Sequence, residues 1–181
     1  MSSEVIILDR DGVINEDSDD YIKSPQEWLP IQGSLEAIKR LNKAGYRVAV
    51  ATNQSGIARG FYDEATLQAM HDKMNDLLAQ RGAQIDEIVY CPHGPTDNCL
   101  CRKPKPGMLL QIAKKLSVKP SQMTFVGDSI SDIQAARMAG VRPVLVKTGK
   151  GLKTIGKLAP DDDIPVYNDL AHYVRELTRK K

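Results

Sequence analysis

"VIILDRDG", residues 5–12, sets four apolar residues directly ahead of two aspartates and a glycine. A run this short, apolar and β-branched suits a strand buried on both faces. The charges that follow mark where the chain leaves the sheet. The same figure recurs along the chain. "YRVAVAT" (46–52), "EIVY" (87–90), "MTFVGD" (123–128) and "RPVLVK" (142–147) read as further buried strands, and "IPVYNDLAHYVREL" (164–177) as a last strand and helix. Between them lie helical patterns. Leu35, Ile38 and Leu41 share one face of a helix stopped by Gly45, and Leu67, Met70, Met74, Leu77 and Leu78 form a long stripe between Asp63 and Gln80. Pro106 opens a helix carrying Met108, Leu109, Ile112 and Leu116. Ser131 with Gln134 reads as the capping box of a helix that Gly140 ends. Strand–helix alternation of this kind predicts an α/β, doubly wound, mainly parallel sheet with helices on both faces. The Gly-, Lys- and Asp-rich stretch from Lys147 to Asp163 is expected to be a mobile loop.

Composition narrows the possibilities. The chain has 181 residues, 41% hydrophobic and 27% charged, with a net charge of +2, which suits one domain spanning 1–181 and expected to act as a monomer. Bulk charge gives no reason to expect a nucleic-acid or membrane partner. The N-terminal apolar run is too short for a signal peptide or span, so a cytoplasmic location is expected.

Open parallel sheets bind ligands at the carboxyl ends of their strands. Asp9, Arg10, Asp11 and Gly12 follow the first strand. Thr52, Asn53, Gln54 and Ser55 follow the second, a loop ending in Arg102 and Lys103 follows the third, and Gly127, Asp128, Ser129 and then Asp132 follow the fourth. Singly, each is an ordinary turn or cap residue. Together they suit phosphoryl transfer. Clustered carboxylates call for a hard cation, and Mg²⁺ uses one or two of them while keeping places for water and phosphate oxygen. An aspartate can then attack phosphorus, a lysine and a hydroxyl can stabilise the transferring group, and a second carboxylate can move the proton.

These residues resemble the haloacid dehalogenase (HAD) superfamily of phosphatases, whose four motifs stand in order as "DRDGV" (9–13), "ATNQSG" (51–56), "CRKPKPG" (101–107) and "GDSISD" (127–132). The resemblance implies a Rossmann-like fold with Asp9 as nucleophile and Asp11 as general acid/base. It implies that Asp9, Asp128 and the backbone carbonyl of Asp11 hold Mg²⁺ and that Thr52 and Lys103 contact the phosphoryl group. Asp132 is expected to orient Lys103 or the water around the metal. "TNQSGIARG" (52–60), the Cys/His loop and "CRKPKPGML" (101–109) further resemble the superfamily's bacterial heptose bisphosphate phosphatases. That likeness implies a small sugar bisphosphate substrate that loses its 7-phosphate, in heptose activation for lipopolysaccharide. It also implies substrate contacts from Asn53, Gln54, Ser55 and Arg102. Ser129 stands where some relatives carry lysine.

All three cysteines of the chain, Cys91, Cys99 and Cys101, lie in one loop with His93. Three thiolates and an imidazole make a closed tetrahedral Zn²⁺ site with no open position, hence a structural one. A zinc loop over 91–104 would fix the direction in which Arg102 and Lys103 depart. The spans around the second motif are too short for a large cap domain. The active site is expected to be open, shaped by the zinc loop and a flap from Asn15 to Pro30 in which Trp28 is expected to pack. His71 is expected at the surface, His172 on a helix face, and Lys147, Lys150, Lys153 and Lys157 in solvent. Competing readings are histidinol-phosphate phosphatase, a polynucleotide 3′-phosphatase, a phospho-accepting receiver domain and a zinc-organised binding module. Asp11 beside the nucleophile argues against a receiver, and the lack of a basic, aromatic-rich stretch argues against the polynucleotide enzyme.

Overall fold

The structure, a computed structural model, describes residues 4–179. Six strands form one sheet: β1 (Val5–Leu8), β2 (Arg47–Asn53), β3 (Glu87–Cys91), β4 (Met123–Gly127), β5 (Arg142–Val146) and β6 (Val166–Tyr167). Their order across the sheet is β3-β2-β1-β4-β5-β6, and every pairing is parallel, where the sequence predicts only a mainly parallel sheet. Because β1 pairs Val5 with both Arg47 and Met123, the strand read first from the sequence lies at the centre. Strand order reverses beside it, and such a switch point leaves a crevice at the carboxyl edge.

Alternation within the strands sorts their side chains between two cores. Ile6, Leu8, Val48, Val50 and Val126 face helices α1 (Ser34–Lys43), α2 (Glu64–Ala79) and α6 (Leu170–Arg179). Val5, Ile7, Ala49, Ala51 and Phe125 face α3 (Gly107–Lys115) and α4 (Ile130–Ala139). The helix stripes behave as their periodicity predicts. Leu35, Ile38 and Leu41 are buried, as are Leu67, Met70, Met74 and Leu78, while Leu77 is half-buried. Asp63 caps α2 by accepting from Thr66 N at 2.8 Å. Gly45 leaves α1 at φ +85°, a conformation glycine adopts without a Cβ penalty.

Two local expectations are corrected. The cap of α4 is Ser129 with Asp132, two residues earlier than Ser131 with Gln134. The helix begins there because β4 ends at Gly127 and the chain turns at once. The stretch after β5 is no loose loop. It contains helix α5 (Gly151–Ile155), whose Ile155 packs near Ile133, Leu145 and Ile164. The flap is short and anchored. Trp28 is fully buried, in accord with a packing role, and Lys73 Nζ from α2 donates to the carbonyls of Pro25 (2.6 Å) and Trp28 (2.8 Å). None of the described helices is long and apolar enough to cross a membrane.

Candidate active site

The carboxyl edge of β1, β2 and β4 borders a cavity of about 380 Å³ lined by Asp9, Asp11, Thr52, Asn53, Gln54, Ser55, Arg102, Lys103 and Asp128. Every residue expected to touch substrate or Mg²⁺ therefore meets the others at one rim. Asp17, Ser18, Asp19, Tyr21 and Ile22 of the flap, with Tyr62, Ser129, Ser131 and Lys150, complete the wall.

Lys103 organises the charge. Its ammonium has three N–H bonds. Nζ lies 2.9 Å from Asp9 Oδ2, 2.8 Å from Asp132 Oδ1 and 3.0 Å from the Ala51 carbonyl. Asp132 and Ala51 aim the ammonium toward Asp9. Burial alone would lower the Lys103 pKa, but the Asp132 and Asp9 charges outweigh it and hold the lysine protonated. Asp132 is itself fastened by Ser129 Oγ (2.7 Å) and by the backbone N–H of Asp128 (3.1 Å). Burial would raise its carboxyl, but the Lys103 cation and the Ser129 bonds hold it below the usual range. Its role as the orienter of Lys103 thus has a geometric basis.

Asp9 and Asp128 are the opposite case. Burial, then the Asp132 and Asp128 charges, push Asp9 well above the usual carboxylate range despite Lys103. Burial and the Asp132 charge push Asp128 up to about 7. Two desolvated carboxylates of raised proton affinity at a solvent-open edge suit a divalent cation. The ligand oxygens of Asp9, Asp128 and Asp132 lie within 4.8 Å of one another. Asp9 and Asp128 line the cavity whereas Asp132 does not, so Asp9 and Asp128 are the two that could hold Mg²⁺ from the open side. The Asp11 side chain points elsewhere, which agrees with a metal contact through its carbonyl.

That side chain is tethered on both oxygens. Arg10 Nε donates to Oδ1 at 2.9 Å and Nη2 to Oδ2 at 3.1 Å, Asn15 Nδ2 reaches Oδ1 at 2.9 Å and Gln54 Nε2 reaches Oδ2 at 3.1 Å. Arg10 has no exposed surface, and its remaining nitrogen lies 3.4 Å from His71 Nε2. His71 is therefore buried behind the site, against the sequence expectation of a surface position. Gln68, Asp72 and Lys73 around it are polar, but it falls on the inner face of α2 with Leu67, Met70 and Met74. Burial, aided by the Arg10 charge, pushes its pKa down to about 4.

His71 yields a stability prediction. A histidine kept neutral in the fold but free to charge when unfolded stabilises above the unfolded pKa and loses that contribution as pH falls. Stability should drop as pH falls from about 6.5 toward 4, by up to about 3 kcal/mol. Thermal melts of the wild type and His71→Gln over this range should show a shallower acid decline in the variant.

Asn53 and Gln54 line the cavity but spend their amides on the protein. Asn53 accepts from Lys103 N (3.1 Å) and donates to Lys103 O (3.2 Å), clamping the lysine backbone to β2. Ser55 stays half-buried at the wall, and Arg102 donates to the His93 carbonyl at 3.1 Å. Three groups had no sequence signal. Thr148 Oγ1 donates to Gly12 O at 2.7 Å, and Lys150 N donates to Asp128 Oδ2 at 2.7 Å. Thr154 Oγ1 also holds the Asp128 carbonyl at 2.8 Å. Lys150, expected in solvent, thus contributes its backbone to the site, while its ammonium lies 3.4 Å from Asp17. The approach is close enough that a Cβ on either Gly12 or Gly149 would overlap the Asp128 carboxylate.

Cys91, His93, Cys99 and Cys101 converge beside this rim as free thiols and one imidazole. Cys91 Sγ lies 3.8 Å from Cys99 Sγ and 3.2 Å from Cys101 Sγ, and His93 Nδ1 lies 3.5 Å from Cys91 Sγ and 3.3 Å from Cys101 Sγ. A tetrahedral Zn²⁺ with Zn–S near 2.3 Å spaces its sulfurs by about 3.8 Å, so the donor set fits a zinc ion with modest expansion. Lys105 donates to the Cys99 carbonyl, tying the loop to the start of α3.

A nucleophile-grade carboxylate, a second tethered carboxylate, a hydroxyl and a caged ammonium around a cation site define a hydrolase of phosphate esters. The chain belongs to the haloacid dehalogenase-like hydrolases, whose family model matches residues 4–140. It is 60% identical over 171 residues to a Pseudomonas aeruginosa protein named D-glycero-beta-D-manno-heptose-1,7-bisphosphate 7-phosphatase, covering 94% of this chain and 96% of that one. A Bordetella bronchiseptica protein of the same name is 51% identical over 177 residues, covering 98% and 99%. Among solved structures, D,D-heptose 1,7-bisphosphate phosphatase from B. bronchiseptica, complexed with magnesium and phosphate, superposes with a TM-score of 0.95 at 50% identity, covering 98% of this chain and 99% of that one.

Proposed function

We propose that this chain is a Mg²⁺-dependent phosphatase that removes the 7-phosphate of D-glycero-D-manno-heptose 1,7-bisphosphate and leaves the phosphate on carbon 1. The observation that carries the reading is the meeting of Asp9, Asp11, Thr52, Lys103 and Asp128 around one cavity. The relatives' shared name supplies the substrate. The product would feed nucleotide-linked heptose for lipopolysaccharide core. All of this chemistry would be carried by one domain.

Asp9 attacks phosphorus with a carboxylate oxygen while Lys103, held 2.9 Å away, balances the charge on the incoming phosphoryl oxygens. Thr52 at the end of β2 offers its hydroxyl to the same group. Asp11 gives a proton to the departing sugar alkoxide, and the aspartyl-phosphate remains. Asp11, now ionised, takes a proton from water, the hydroxide displaces Asp9 from phosphorus, and inorganic phosphate leaves. Mg²⁺, held by Asp9, Asp128 and the Asp11 carbonyl, would neutralise the anions that otherwise repel a phosphate. Zn²⁺ held by Cys91, His93, Cys99 and Cys101 would keep the loop carrying Arg102 and Lys103 in place. Arg102 and Ser55 are assigned to the sugar phosphate. Asn53 and Gln54, assigned with them to the sugar phosphate from the cavity wall, also hold Lys103, Thr52 and Asp11.

A phosphate-release screen tests the assignment. Both anomers of heptose 1,7-bisphosphate, fructose 1,6-bisphosphate and histidinol phosphate are compared with and without Mg²⁺. The expected result is Mg²⁺-dependent release, with kcat/KM for a heptose bisphosphate at least about tenfold above the others, since a site built for specific hydroxyls rejects analogues lacking them. Preference for histidinol phosphate would move the chain to the competing phosphatase reading.

A further inference from the structure

Tyr62 lies just ahead of α2, buried against the loop that follows β2, in a space that Gly56 leaves open. A Cβ on Gly56 would overlap the Tyr62 ring. Its hydroxyl donates to Gln54 Oε1 at 2.5 Å. The other end of the same amide, Nε2, donates to Thr52 Oγ1 at 2.8 Å and to Asp11 Oδ2 at 3.1 Å. An amide has one accepting and one donating end, so what grips one end decides what the other presents. An ionised Asp11 accepts only, and it requires the N–H end. Tyr62 supplies the single donor that makes this orientation favourable throughout.

Thr52 inherits the direction. Its oxygen already accepts from Gln54, so its own O–H remains to donate into the cavity, the polarity a transferring phosphoryl oxygen needs. We infer that Tyr62 is a positioning residue for catalysis: through Gln54 it fixes the hydrogen-bond direction of both the Thr52 hydroxyl and the Asp11 carboxylate. Were the amide reversed, Oε1 would face the Asp11 anion, and Nε2 would be turned away from Thr52. Burial, reinforced by the Asp11 charge and opposed by Arg10, pushes the Tyr62 pKa up to about 12, so its proton stays in place at neutral pH. The inference rests on the phosphatase reading of this site and adds a residue outside its four motifs.

Tyr62→Phe removes the donor and keeps the ring, so packing against Gly56 survives. It is measured with Gln54→Met, which removes the amide, and with the double variant. The assays use Mg²⁺ with heptose 1,7-bisphosphate and, in parallel, an aryl phosphate. Tyr62→Phe is expected to lower kcat about tenfold with KM within about twofold, a fraction of the loss seen when an oxyanion donor is removed outright, while the unpaired Gln54 Oε1 lowers the melting temperature by only a few degrees, leaving the protein fully folded at the assay temperature. Gln54→Met is expected to lose at least as much, and Tyr62→Phe added to it to lose no more, because residues acting through one another are not additive. Wild-type kcat in Tyr62→Phe, or an equal loss in both backgrounds, would overturn the inference. Failure of the wild type to release phosphate from heptose bisphosphate would count against the proposed substrate instead, and the aryl phosphate series would still decide the role of Tyr62.

Discussion

Asp9→Asn is expected to fold and to release no measurable phosphate. An asparagine fills the same volume and keeps an oxygen to accept from Arg10 N, which lies 2.7 Å from Asp9 Oδ1. It offers no carboxylate to attack phosphorus. Loss of a covalent nucleophile costs on the order of 10⁴- to 10⁶-fold in kcat. Stability should move the other way. A carboxylate whose pKa the fold raises is disfavoured as an anion above its unfolded pKa, and Asp9 is raised by burial and by Asp132 and Asp128. Replacing it with a neutral group in metal-free protein should leave the melting temperature unchanged or higher at pH 7, since Lys103 keeps Asp132 and Ala51 as partners. Turnover within tenfold of wild type would remove Asp9 from the mechanism.

The second large effect concerns the cysteine loop. Elemental analysis should find about one Zn²⁺ per chain, as a Cys₃His donor set requires. Substituting Cys101→Ser, or stripping the ion with a strong chelator, should lower the melting temperature and reduce kcat by about 100-fold or more. The loop between Pro92 and Leu100 contributes no side chain to the two large cores beyond the partly buried Cys99. Structural zinc supplies about 10 kcal/mol or more of local folding energy in small sites. Lys103 lies two residues past Cys101, and a lysine displaced by about 1 Å at a phosphoryl group can cost 100-fold. Returning Zn²⁺ should restore activity to the chelated enzyme, whereas Mg²⁺ alone should not. Full activity in a protein shown to contain no zinc would separate the loop from catalysis.

Asp9, Asp11, Thr52 and Asp128 were readable in the sequence because each closely follows an apolar run short enough to be a strand, so its place at the carboxyl edge comes from local pattern; Lys103, at the far end of the loop after β3, was readable only through the family motif. The strand order was not needed for that. The register of the α4 cap was harder, because "SISDIQ" (129–134) offers two overlapping capping-box patterns, Ser129 with Asp132 and Ser131 with Gln134. Ser129 prevails since β4 stops at Gly127. His71 was misplaced because Gln68, Asp72 and Lys73 around it are polar, although it stands four after Leu67 and three before Met74 on the buried stripe; the group it packs against, Arg10, lies sixty-one positions away. Thr148 shares this difficulty, since it acts on the Gly12 carbonyl 136 positions away. Tyr62 lies only eight positions from Gln54, but it stands outside every motif and no spacing rule pairs a tyrosine with an amide across a turn. The stretch after β5 reads as loop because its five-residue helix is too short for periodicity and its glycines mimic a linker.

Those glycines have a further implication. Every motif by which the family is recognised lies within residues 4–140, yet Asp128 is braced by Lys150 and Thr154 and cradled against Gly149. A fragment ending at Gly140 would bear a complete signature while the Asp128 carboxylate lost these supports. Membership is thus written in one stretch of this polypeptide and part of the site's bracing in another, and a substitution as mild as alanine at Gly149, whose Cβ would meet Asp128 Oδ2, is expected to lower phosphate release in a chain whose motifs all read intact.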